Sequence, residues 1–129
     1  MGQISIDIEG IDVFMIYVLL VIQSLLLITG QTLWKTEIDK YTGITLNNIT
    51  QILFSWRVVL GLSIYVAATL LWFYIISIAK DKFSVIYPFG SLAYVLGIFV
   101  AIIFFKEVIP VTRWVGAALV VLGIIFIAK

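Results

Sequence analysis

Four long apolar runs, at about residues 13–34, 52–79, 83–105 and 111–128, constrain this chain more than any single residue does. A helix rises about 1.5 Å per residue, so about 30 Å of hydrocarbon needs roughly 20 apolar residues, the scale of each run. The runs use up most of the 129 residues, 64% of which are hydrophobic and 12% charged. Soluble proteins average about half apolar and a quarter charged. A soluble domain is excluded. The fold class expected is an all-α membrane protein, a single four-helix transmembrane domain over residues 1–129.

The remaining composition removes whole classes of function. There is no Cys and no His, so thiolate chemistry, imidazole acid–base catalysis and the commonest metal ligand are all missing. No metal site, no cofactor and no enzymatic activity are expected. A net charge of +1 gives no basic field for nucleic acid. Before the first run, Asp7, Glu9 and Asp12 appear without any Lys or Arg, unlike a cleaved signal peptide, so this segment is expected to stay in the mature chain.

The first run ends at Trp34-Lys35, an aromatic and a cation at interface depth. Residues 35–50 form the one long connection, with room for a loop or a short surface helix. The second run ends at Lys80-Asp81-Lys82 and the third at Lys106-Glu107, with span four beginning after Pro110. Short connections make neighbours antiparallel, so spans two to four are expected to form an up-down-up group with span one alongside. The cations divide five (Lys35, Lys40, Arg57, Lys106, Arg113) against three (Lys80, Lys82, Lys129). That balance favours both termini outside and also permits insertion either way.

Polar groups in hydrocarbon cost free energy unless partnered, so their placement carries the most information. On span one, Gln23, Gly30, Gln31 and Lys35 share a narrow sector at 100° per residue, with Leu27 in its middle. On span two, Arg57, Gly61, Tyr65, Thr69 and Trp72 fall on one face, and on span three Tyr87, Ser91 and Tyr94 do. These faces are either helix-packing surfaces, with hydroxyls bridging helices for about 0.6 kcal/mol each, or the walls of a binding site. Lys35 and Arg57 are either anchors snorkelling to the headgroups or cations awaiting an anionic partner. If span two starts near Ile52, Arg57 lies roughly 8 Å deep, at a cost of about 2.5–3.5 kcal/mol that a phosphate would offset.

Pro88 removes an amide that would bond to the Ser84 carbonyl, so span three either starts just before it or is loosened there. Gly90, Gly97 and Ala101 occupy the opposite face of span three, and Gly116 and Gly123 lie seven apart on span four; small faces favour close helix contacts. No span carries an Asp or Glu at mid-membrane, since Asp12, Asp81 and Glu107 are all at ends. A carboxylate for direct proton coupling is not evident.

Gly30-Gln31 with Lys35, Tyr87-Pro88 with Ser91-Leu92 and Tyr94-Val95, then Glu107 with Trp114, Gly116 and Gly123, come in an order that resembles the small four-helix members of the drug/metabolite transporter superfamily. The resemblance covers about residues 13 to 128. It is nearest to the subunits of the aminoarabinose-phosphoundecaprenol flippase and more distant to small multidrug resistance exporters. Aligned through Gly30 and Lys35, the exporters' essential first-helix glutamate is replaced by Leu27, which speaks against cation-for-proton exchange.

The resemblance implies a drug/metabolite-transporter-like bundle in a prokaryotic inner membrane, acting as a flippase subunit for a polyprenyl-phosphate-linked sugar or related anionic lipid. Lys35 and Arg57 would attract the phosphate, while Gln31, Tyr87, Ser91 and Tyr94 would bind sugar or phosphate oxygens. Gly116 and Gly123 would form the interface of a homodimer, or of a heterodimer with a four-helix paralogue, because the path in such transporters lies between paired units. Two alternatives stay open: a small exporter of cationic or aromatic compounds, and a non-transporting accessory membrane subunit.

Overall fold

The structure, a computed structural model, describes residues 2–79 and 82–129, with side chains from residue 13 onward. Lys80 and Asp81, and the side chains of Asp7, Glu9 and Asp12, lie outside the described residues. The described chain is helical, without a strand: α1 Gly2–Ile38, α2 Ile49–Leu53, α3 Trp56–Ala79, α4 Phe83–Ile86, a 3-10 turn Tyr87–Ser91, α5 Leu92–Phe105 and α6 Val111–Ala128. Four stretches are long and apolar enough to cross a membrane: Val13–Ile38, Trp56–Ala79, Phe83–Phe105 and Val111–Ala128.

Local hydrogen bonding moves two boundaries from where hydropathy puts them. Span one continues to Ile38, with the Thr36 hydroxyl donating to the Thr32 carbonyl at 2.8 Å, so Glu37 belongs to a helix and not to a loop. Span two begins at Trp56 and not near Ile52. Ser55 Oγ accepts from the Val58 N–H at 3.3 Å and donates to the Ile52 carbonyl at 2.9 Å, an N-cap that separates α3 from the short α2. Arg57 therefore sits in the first turn of its span, and the 8 Å depth expected for it does not exist. Span three is loosened at its proline: the five residues Tyr87–Ser91 wind as a 3-10 turn between α4 and α5.

Two loop ends are fixed by single residues. The Asn48 side chain accepts from the Thr45 N–H at 2.7 Å and donates to the Gly43 carbonyl at 2.8 Å, folding the long connection onto itself. Lys106 takes the left-handed conformation (φ 53°), which lets the Glu107 N–H return to the Ala101 carbonyl at 3.0 Å and ends α5.

The packing is centred on the first span. The most extensive helix pair is α1 with α3, and α5 packs on α1 beside it, whereas the body of span three has little contact with α3. Spans two to four are thus not a group with span one alongside; span one is the shared support of spans two and three. The pairing follows from two glycines. A Cβ on Gly30 would lie 2.9 Å from the Gly61 carbonyl oxygen, and one on Gly61 would lie 2.8 Å from the Gly30 oxygen and 2.6 Å from Trp34 Nε1. Only bare backbones approach so closely. Toward the other membrane face, Ile16, Leu20, Ile75, Ala79 and Ile86 form a buried cluster. The last helix is held loosely: α6 touches α5 and the 3-10 turn, and only Ile124 on it is buried.

Candidate functional site

Because α3 and the body of span three do not close against each other, a groove opens between them with α1 as its floor. The groove holds a cavity of about 420 Å³. Gln23 and Leu27 come from α1, and Tyr65, Thr69 and Trp72 from α3. Span three contributes Tyr87, Gly90, Ser91 and Tyr94. The rim is open, with Tyr87 64% and Tyr94 78% exposed, while Gln23 on the floor is 6% exposed. The Gln23 amide makes no hydrogen bond to another described side chain or backbone group. The Thr69 hydroxyl donates to the Tyr65 carbonyl at 3.0 Å, so only its lone pairs remain for a ligand. Among the described residues, none with a charged side chain lines this groove.

The 3-10 turn explains one departure from the face assignments. Gly90 was expected opposite Tyr87, yet both line the groove, because at three residues per turn positions i and i+3 eclipse. Gly97 and Ala101 instead face α1, where a Cβ on Gly97 would meet Ile28 at 3.5 Å.

A smaller cavity, about 200 Å³, lies between α1 and α5, and it takes Gln31, Thr32 and Lys35 together with Phe105 and Glu107. Lys35 Nζ is 3.1 Å from Asp39 Oδ2 and 4.7 Å from the centre of the Phe105 ring. Arg57 lines neither cavity. Its guanidinium is 3.7 Å from Glu37 Oε2, which also lies 3.0 Å from Lys40 Nζ, and it stacks 5.3 Å from the Trp56 ring. The two cations, which read as either headgroup anchors or partners for an anion, each face a carboxylate. The Lys35–Asp39 pair is about half exposed and worth about 0–1 kcal/mol, so an incoming anion can replace it at little cost.

Of the six residues expected to bind substrate, Tyr87, Ser91 and Tyr94 meet in the larger groove, Gln31 and Lys35 in the smaller one, and Arg57 stands apart. Gly116 and Gly123 face open space, with no described atom within 4 Å of an added Cβ. Two kinds of residue escape the sequence reading of the site. Gln23, Tyr65, Thr69 and Trp72 stand on polar faces at helical spacing, but nothing in the sequence shows that these faces meet. Glu37, 6% exposed, falls in a segment that reads equally as a loop or a short surface helix; it lies seven residues, two helical turns, beyond Gly30 and so on the face packed against α3.

Fold and site together define a four-span helical membrane protein with a laterally open, uncharged polar groove. No family model, curated protein or solved structure matches the chain.

Proposed function

We propose that this chain is a subunit of a prokaryotic inner-membrane transporter, without enzymatic activity, that carries a polyprenyl-phosphate-linked sugar or related anionic lipid across the bilayer. The observation that carries this reading is the larger groove. It brings hydroxyls, an amide and aromatic rings to membrane depth, where polar side chains are costly and mark substrate paths, and its rim opens sideways to lipid. A polar headgroup can travel in such a groove while its hydrocarbon tail stays in the bilayer. Lys35 and Arg57, at one end of the bundle, supply the phosphate attraction by exchanging Asp39 and Glu37 for the headgroup.

A drug/metabolite-transporter-like bundle formed by two chains, identical or paralogous, fits the loosely held α6. Its glycine face is bare and its only buried residue is Ile124. The aromatic rim also favours a second reading, export of organic cations through cation–π contact. Leu27 on the groove floor stands against it, because among the described residues no carboxylate lines the groove to exchange a cation for a proton.

Transport in liposomes tests the proposal. Lys35→Ala and Arg57→Ala are each expected to slow lipid-sugar translocation at least tenfold in assembled protein. Intact translocation in both variants overturns the phosphate role. Proton flux on adding quaternary ammonium compounds selects the exporter, and inactivity of every purified homomeric or paralogue-paired form selects an accessory subunit.

A further inference from the structure

We infer that the larger groove is a subsite for an uncharged, hydroxyl-bearing sugar ring, with Gln23 as its specificity-determining residue. The inference rests on the reading that the cargo is a lipid-linked sugar and names which sugars the groove accepts.

The donor and acceptor inventory decides it. Gln23 is more than nine-tenths buried, lines the cavity and lacks a hydrogen-bonding partner among the described residues. Its amide needs an acceptor for its N–H groups and a donor for its carbonyl oxygen. A phosphodiester brings acceptors only and would leave the carbonyl unpaired. An ammonium brings donors only and would leave the N–H groups unpaired. Adjacent hydroxyls on a sugar ring satisfy both halves at once. Thr69 points the same way: its proton is already committed to the Tyr65 carbonyl, so it requires a donor from the ligand.

Charge and shape agree with this choice. Among the described residues, no carboxylate lines the groove to neutralise an amino sugar and no cation lines it to hold a phosphate. Trp72 and Tyr65 give flat apolar surfaces for the ring's C–H face. The volume, about 420 Å³, falls within the roughly 300–1,000 Å³ of small-molecule sites.

The test is equilibrium binding to the full chain in nanodiscs, with empty nanodiscs as blank. Three probes are compared: octyl glucoside, its 2-amino-2-deoxy counterpart, and octyl phosphate, which tests the phosphate role separately because Lys35 lies twelve helical residues, about 18 Å, from Gln23. The neutral glucoside is expected to bind about tenfold tighter than the amino sugar. Gln23→Met, close to the native side chain in size, is expected to abolish that gain while leaving octyl phosphate affinity unchanged. Gln23→Glu is expected to shift preference to the amino sugar. Equal or tighter wild-type binding of the amino sugar, or a gain that survives Gln23→Met, overturns the inference. Gln23-dependent glucoside binding combined with octyl phosphate binding indifferent to Lys35→Ala keeps the sugar subsite and rejects the phosphate role. Lys35-dependent phosphate binding without any sugar gain does the reverse.

Discussion

Gly61→Ala places a methyl group where α1 and α3 touch. From an ordinary contact of 3.4 Å, the added carbon falls short by 0.8 Å at Trp34 Nε1, 0.7 Å at Trp34 Cδ1 and 0.6 Å at the Gly30 carbonyl oxygen. The indole can tilt, although the Tyr65 ring lies 5.2 Å from it; the Gly30 oxygen is backbone and moves only with its helix. The helices must therefore part by roughly half an ångström, and a gap of about 0.5–1 Å forfeits a quarter to a half of each contact it opens. Overpacking of this kind costs about 1–3 kcal/mol, and alanine's better helix propensity returns about 1 kcal/mol. Three deficits at once, one of them against backbone, put Gly61 in the upper part of that range, about 2–3 kcal/mol, so the net expectation is a loss of about 1–2 kcal/mol, read by reversible unfolding in mixed micelles or by steric trapping in bicelles. Gly30→Ala, with a single deficit of 0.5 Å, should lose less. A Gly61→Ala protein as stable as the wild type would refute the close-crossing account.

Trp34 Nε1 is buried without a hydrogen-bond partner, so Trp34→Phe should leave stability unchanged or raise it by up to about 1 kcal/mol in the same unfolding assay. Lys106→Gly removes a side chain from a left-handed position and should stabilise the chain by about 1 kcal/mol, seen as slower thermal inactivation in lipid nanodiscs. Gly116→Leu with Gly123→Leu, on a face with nothing near it within one chain, should spare monomer unfolding and weaken self-association at least tenfold by subunit exchange measured with energy transfer.

Hydropathy integrates over many residues, and it located four helices of spanning length because each carries one dominant signal. Their ends depend on single hydrogen bonds that such averaging cannot see. Ile52 to Phe54 are apolar enough to begin a span, but Ser55 caps the helix after them. Glu37 is polar enough to begin a loop, but the helix runs on through it. The faces at Gln23, Tyr65, Tyr87 and their neighbours were visible at helical spacing. Which faces meet was not, because loop lengths dictate antiparallel neighbours and say nothing about which helix supports the others. That choice lay in Gly30 and Gly61 fitting against each other. In the sequence Lys35 and Arg57 read as headgroup anchors or as partners for an anion, while Lys35–Asp39 at i,i+4 and Lys40–Glu37 at i,i+3 become visible as pairs only once the helix extends past Lys35.

The support for spans two and three is also the first of the four to leave the ribosome. Each later segment that inserts finds its partner already in the bilayer: α3 can dock while span three is still being translated, α5 joins on a neighbouring side, and α6 arrives last against α5 and the 3-10 turn that precedes it. Assembly can thus proceed in the order of synthesis without any helix waiting for one not yet made.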